Sequence, residues 1–169
     1  MEDYIKKALN GDHQAFAQLY DNFAADALRL AAAVTHSPDL AADAVQEAFI
    51  RVYKKGYQCK SPDKFKPWFF RIVINESKRI AKKYSIETEL DPDCPAAAAD
   101  NYDLPLAISH ALGKLTWEHR SVLVLKFVMG YTENEISVIL KKPLGTVKSR
   151  IHYAKKALAQ KFDGKEEFL

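Results

Sequence analysis

The segment covering residues 130–158, GYTENEISVILKKPLGTVKSRIHYAKKAL, carries the side chains best suited to holding a polyanion. Taking Val147 as the centre of a buried side and turning about 100° per residue, Ser149, His152 and Lys156 fall opposite the core. Lys148 and Tyr153 flank them. Gly145 lies on the same outward side, where a missing side chain admits close backbone approach. The helix start offers unsatisfied amide donors to a phosphate, and Thr146 adds a hydroxyl there. Lysines of this kind neutralise phosphates, while hydroxyl, imidazole and phenol groups can reach base edges, so the chemistry is that of a DNA-contacting face. Arg150 falls nearer the core edge and is expected to reach a phosphate or an acidic neighbour. The plain alternative is a solvated helix face with ordinary lysines.

Two short helices must position that face. Thr132 is followed three residues later by Glu135, the capping box in which each side chain satisfies one orphan backbone donor. The first helix is expected to run to about Leu140, with Ile136 and Leu140 on its buried face. A break follows at Lys141, Lys142 and Pro143, the proline fitting at or just before the start of the next helix. Val147, Ile151, Ala154 and Leu158 then form one apolar stripe. Two helices joined by so tight a turn match the helix-turn-helix arrangement.

A second group of candidates lies upstream. Ser37-Pro38 is a cap followed by a first-position proline, and the helix it opens is expected to stop at Gly56. Its buried stripe is Ala41, Val45, Ala48, Phe49 and Val52; its outer face holds Asp43, Gln46, Glu47 and Ile50. An apolar residue among carboxylates fits a docking surface for a basic or mixed partner, although single exposed apolar residues are common. After a loop from Tyr57 to Phe65, Pro67 is expected to start a helix to Lys83, with Trp68, Phe69, Ile72 and Val73 in the core. Lys60, Lys64 and Lys66 crowd the preceding loop, and Lys78, Arg79, Lys82 and Lys83 end the helix. Aromatics among basic residues suit single-stranded nucleic acid, where bases stack and cations follow the backbone. Tyr57 is the most exposed candidate ring, and Asn75 can donate to and accept from a base edge.

The remainder reads as helical too. Tyr4 to Leu9 form a short helix before Asn10-Gly11, and Asp12 opens a long helical stretch to Val34, with a kink placed near Phe23. Leu104-Pro105 opens a helix to about Leu112, and Thr116 caps another running to Gly130. His110, Glu118 and His119 lack metal-helix spacing and read as surface or interhelix residues. The fold class expected is therefore all-α, in two small helical domains, residues 1–83 and 104–169. The stretch 84–103, with two prolines and six acids, reads as a flexible acidic linker.

Charge follows the same division. Residues 1–83 hold 14 basic and 10 acidic side chains, residues 104–169 hold 11 and 6, and the 20 between them carry six acids and no Lys or Arg. The formal +3 thus hides two basic bodies, which suits nucleic acid better than the total does. Cys59 and Cys94 form neither a zinc pattern nor a disulfide framework, which is simplest for a reduced cytoplasmic chain. No apolar run reaches membrane-spanning length. With no phosphate loop, nucleophile motif or His/Cys/carboxylate cluster, the chain is expected to be no enzyme and to need no cofactor.

The whole pattern resembles the extracytoplasmic function (ECF) group of the bacterial sigma-seventy family. Asp43 to Phe49, DAVQEAF, matches its acid, hydrophobic pair, Gln-Glu and aromatic signature; Trp68 to Asn75 matches its Trp-to-Asn run; Gly145 to Arg150 matches its Gly-Thr-Val-Lys-Ser-Arg string in full. The resemblance implies a sigma factor that binds core RNA polymerase and directs promoter recognition and opening. It implies docking of Asp43, Gln46, Glu47 and Ile50 on the beta-prime clamp helices, and a second contact of the chain with the beta flap. Tyr57, Lys60, Lys64, Asn75, Lys78, Arg79, Lys82 and Lys83 would serve the minus-ten element. Gly145, Thr146, Lys148, Ser149, Arg150, His152, Tyr153 and Lys156 would serve the minus-thirty-five element. An anti-sigma factor is the inhibitory partner implied, holding the chain at the membrane in some relatives. The resemblance also threads the linker through the polymerase cleft, where Glu87, Glu89, Asp91 and Asp93 would stand in for nucleic acid. The competing reading is an ordinary helix-turn-helix regulator that binds closed duplex without joining a polymerase.

Overall fold

The computed structural model describes residues 2–90 and 111–162. Among them every regular element is helical: α1 (Glu2–Leu9), α2 (His13–Thr35), α3 (Pro38–Lys55), two 3-10 turns (Gly56–Gln58 and Pro62–Lys64), α4 (Phe65–Leu90), α5 (Trp117–Leu123), a π-type stretch (Val124–Val128), α6 (Glu133–Leu140) and α7 (Leu144–Phe162). Caps set the boundaries. Asp12 accepts from the Ala15 amide, Ser37 from Leu40, and Thr116 from His119, each at a helix start. Gly11, with φ near +93°, turns the chain between α1 and α2.

Helices α2, α3 and α4 pack on one another, with α1 against α2. Their shared core is aromatic: Phe23 meets Phe65 and Phe69 at 5.2 and 5.8 Å between ring centroids, and Phe49 meets Phe69 at 4.9 Å. Phe65, Phe69 and Phe70 are fully buried. Trp68, expected in the core, is half-buried at its edge beside Phe65. In the C-terminal body, Val122 to Leu125, Ile136, Ile139, Val147, Ile151 and Ala154 fill the interior.

Four expectations need correction. The helix placed over Pro67–Lys83 begins at Phe65 and continues to Leu90, so Tyr84–Leu90 are helical and not linker. Pro67 sits in the first turn, where the amide it lacks has no intrahelical partner. Nothing between Lys83 and Leu90 breaks a helix, and the first disfavoured position is Asp91, before Pro92. Helix α2 runs unbroken through Phe23. The single helix expected from Thr116 to Gly130 changes to wider-pitched bonding, with Met129 N–H donating to the Val124 carbonyl. In α6 the second core residue is Ile139, while Leu140 is half-buried. The helix expected from Leu104, His110, and Asp91 and Asp93 of the acidic set lie outside the described residues, apart from that helix's last turn at residues 111–113.

Candidate nucleic-acid interface

The helix-turn-helix is built from its caps outward. The Thr132 amide donates to the Glu135 carboxylate at 2.8 Å, the Thr132 hydroxyl does so at 2.7 Å, and the Glu135 amide returns a bond to that hydroxyl at 3.3 Å. The bonds from Thr132 hold the Glu135 carboxyl below the usual range. Helix α6 ends at Lys141 in the left-handed conformation, φ near +50°, and the Lys142 amide closes back on the Ser137 carbonyl. Helix α7 then starts at Leu144 with Val147, Ile151 and Ala154 buried.

Its opposite side is the face expected from the helical wheel. Gly145, Lys148, Ser149, His152, Tyr153 and Lys156 are exposed, and Thr146 and Arg150 are half-buried. Tyr153 stands out with 60% of its surface open, its ring edge-on to His152. A Cβ on Gly145 would meet nothing within 4 Å. The chain's own packing therefore does not demand glycine there, and the room it leaves faces outward. Ser149 donates to the Gly145 carbonyl at 2.8 Å, which leaves its oxygen lone pairs as acceptors.

On α3, Asp43, Gln46, Glu47 and Ile50 are all exposed on one surface. Arg51 turns from that surface toward α4, where Glu76 is only 2% exposed. Arg51 Nη2 reaches one oxygen of the Glu76 carboxylate and Arg79 Nε the other, both at 2.7 Å. Residues 51 and 76 lie far apart in sequence, so periodicity gave no sign of the bridge. Arg79, expected to face phosphate alone, thus spends one nitrogen on this pair. Its side chain remains 53% exposed, with the rest of the guanidinium available outward.

Asn75, Lys78, Lys82 and Lys83 are exposed along α4. Lys78 is engaged as well: its ammonium sits 3.8 Å from the Trp117 ring centroid. Tyr57 is 77% exposed, and Lys60 and Lys64 project from the same loop. Beside that loop lies a cleft of about 670 Å³, walled by Tyr57, Cys59 and Lys60 on one side and by Lys6 and Asn10 on the other; Asn75 is not part of it. The α1 wall was invisible to sequence reasoning, because no pattern links Lys6 and Asn10 to the loop. Cys59 donates to the Ser61 carbonyl, and burial raises its thiol pKa, so it stays protonated.

Gly56 is what lets α1 form that wall. A Cβ there would meet Leu9 Cδ2 at 2.9 Å and the Leu9 backbone at 3.3 Å. Gly56→Val is expected to push α1 off the loop and destabilise the chain by about 1–3 kcal/mol, the range for forced overpacking. A urea midpoint equal to that of the parent would show that α1 is not held by this approach.

Among the described residues no cluster of His, Cys, Asp or Glu could hold a metal, and no helix is long and apolar enough to cross a membrane. The geometry gives three surfaces: α3 outer face, α4 with its loop, and α7 outer face. Residues 19–85 match the family described as Sigma-70 region 2, and residues 106–158 match Sigma-70, region 4. The chain is 33% identical to the ECF RNA polymerase sigma factor SigW of Bacillus subtilis, over 91% of this chain and 92% of that protein. It is 32% identical to the ECF RNA polymerase sigma factor SigL of Mycobacterium tuberculosis, over 83% and 84%. In fold it resembles CnrH, solved in complex with the cytosolic domain of CnrY, with a TM-score of 0.71 at 24% identity over 96% of this chain and 97% of that one. The sigma factor RpoE of Bartonella quintana, solved with the anti-sigma factor NepR, gives 0.70 at 24% identity over 90% and 98%.

Proposed function

Since the chain belongs to the extracytoplasmic function group of RNA polymerase sigma factors, we propose that its three surfaces divide the work of starting transcription. The outer face of α3 docks core polymerase, with Ile50 as the apolar contact and Asp43, Gln46 and Glu47 setting its register. Helix α4 and the Tyr57–Phe65 loop take the minus-ten element as it opens. A base turned out of the duplex loses stacking worth a few kcal/mol, which pocket contacts at Asn75 and the loop offset. Lys82, Lys83 and the outward part of Arg79 hold phosphates upstream. Helix α7 enters the major groove of the minus-thirty-five element, with Lys148, Ser149, His152 and Tyr153 toward base edges and Lys156 toward the backbone.

The observation that carries this reading is the α7 face: a capped helix-turn-helix presenting small polar and basic groups around a glycine with open space above it. The chain itself carries out no catalysis in this account, and strand separation is driven by binding energy for the melted strand. Its place of action is the cytoplasm, where polymerase and promoters are. An anti-sigma factor is its inhibitory partner, a class that the complex of RpoE with the anti-sigma factor NepR supports.

Transcription from a library of genomic promoters by core enzyme, with and without this chain, tests the reading. Discrete starts that appear only with the protein are expected. No starts, together with tight binding to closed duplex, would instead make it an ordinary regulator.

A further inference from the structure

Among the described residues Glu76 is the one carboxylate that lies almost wholly out of water, at 2% exposure, and it holds two partners. Arg51 comes to it from α3 through Nη2, and Arg79 from its own helix through Nε, each on a different oxygen. Packing of α3 on α4 needs that position filled, and an apolar side chain would fill it without taking a charge out of water. What the carboxylate adds is geometry. One group bonded to both arginines keeps their guanidinia no farther apart than its own width and two short bonds. Left alone, two like charges would spread apart into water. Each long side chain is therefore ordered before any ligand arrives, and that ordering is a cost binding would otherwise carry.

The same two side chains keep about half of their surface open, 47% for Arg51 and 53% for Arg79. Arg79 bonds Glu76 through Nε, which leaves both terminal nitrogens for another acceptor; Arg51 keeps Nε and Nη1. Among the described residues no second ion pair holds either of them. Asn75 is exposed one turn before Arg79, so the arginines stand one turn from the group assigned to the captured base. Lys82 continues that face. Glu47, exposed on α3 one turn before Arg51, is the other carboxylate acting on Arg79, after Glu76. It stands in water, where salt screens it.

We propose that Glu76 is a positioning residue, setting Arg51 and Arg79 as one clamp on a backbone phosphate of the opened minus-ten strand. This rests on the assignment of α4 to that strand and deepens it: Arg51, on the helix assigned to core docking, becomes a DNA contact. The phosphate accepts from both arginines, whose planar forks suit its paired oxygens. The sign of the effect separates positioning from plain electrostatics. Removing a carboxylate from beside a polyanion should tighten binding by Coulomb attraction alone. Here removing Glu76 weakens it, because the phosphate must then order two long side chains by itself.

The test uses the full chain on saturating core polymerase, so that altered docking does not enter the result. The probe is a fluorescent single-stranded oligonucleotide from the non-template strand of a start mapped with the promoter library. Arg51→Gln and Arg79→Gln should each lose about tenfold in affinity, the effect of one charge-assisted bond. Their salt slopes should fall by up to about 0.7, the value for one single-strand phosphate. Glu76→Met should lose about fivefold, the cost of ordering a long side chain, while its urea midpoint stays close to the parent's. Glu76→Gln keeps one acceptor oxygen, should fall between parent and Glu76→Met, and carries the test if Glu76→Met fails to fold. Replacing one phosphate at a time by uncharged methylphosphonate should find a single sensitive linkage, made insensitive by either arginine variant. Parent-like or tighter binding by folded Glu76 variants overturns the positioning role. Different linkages for the two arginines, or none for Arg51, overturn the clamp. No binding of the oligonucleotide by the parent removes α4 from the strand altogether, and the clamp with it.

Discussion

Replacing Arg51 and Arg79 together with alanine is expected to destabilise the N-terminal body by about 3–5 kcal/mol, because it strands the buried Glu76 carboxylate without a counter-charge. Each guanidinium is about half exposed and can return to water, whereas the carboxylate at 2% exposure cannot. The asymmetry predicts the order of a small series. Either single alanine variant keeps one partner on Glu76 and should lose less than the double variant. Glu76→Met removes the buried charge itself and should cost least, since apolar replacement of a buried ion network is often close to neutral. Urea denaturation reads all four, and the double variant should melt lower by on the order of 10 °C. A double variant within about 1 kcal/mol of the parent would mean that the carboxylate gains enough from other groups to stand alone, contrary to the ledger for a buried unpaired charge. The bridge also joins α3, which carries the proposed core-docking face, to α4, which carries the proposed minus-ten face. Loss of core affinity in the double variant, with Asp43, Glu47 and Ile50 intact, would follow from α3 shifting against α4.

What was legible in the sequence was local. The capping box at Thr132 and Glu135, the caps at Asp12, Ser37 and Thr116, and the stripe through Val147, Ile151 and Ala154 depend on residues within one or two turns of each other. Period and cap chemistry therefore suffice to set which side of α7 is buried and which is exposed. The contacts that sequence did not announce all cross long separations. No local pattern marks Glu76 as paired, and only its distance to Arg51 reveals a buried bridge. No local pattern marks Arg120, yet its farthest acceptor is the Val34 carbonyl in α2. The widened turn after Leu123 has no composition signature, because Val124 to Val128 would pack as readily in a regular helix. The extension of α4 to Leu90 was readable and was misjudged: acidity was taken for disorder, although no glycine or proline interrupts residues 84–90.

Ser149→Tyr and Asn75→Ala should separate the two proposed DNA-reading surfaces by failing in different ways. Ser149 is exposed at the centre of the α7 face, and its hydroxyl already donates to Gly145 within the helix. A tyrosine there leaves α7 intact, since the position carries no core packing, and fills the space a groove wall would occupy. Affinity for minus-thirty-five duplex should fall by about 1–3 kcal/mol, the value of one good base contact, which is roughly 5- to 150-fold. Binding to core polymerase should be unchanged, because the α3 face is untouched. Asn75 is exposed on α4 and carries no core packing, so alanine should barely alter stability. Its loss should leave duplex binding upstream intact while promoter opening, followed by permanganate reactivity of unpaired thymines, falls by a similar factor. Opening at the parent rate by Asn75→Ala would move the captured base away from Asn75, toward the cleft between Tyr57, Lys60 and the α1 residues Lys6 and Asn10. Both variants failing at both elements would mean that α4 and α7 act as one surface, and the division of labour between the two bodies would have to be abandoned.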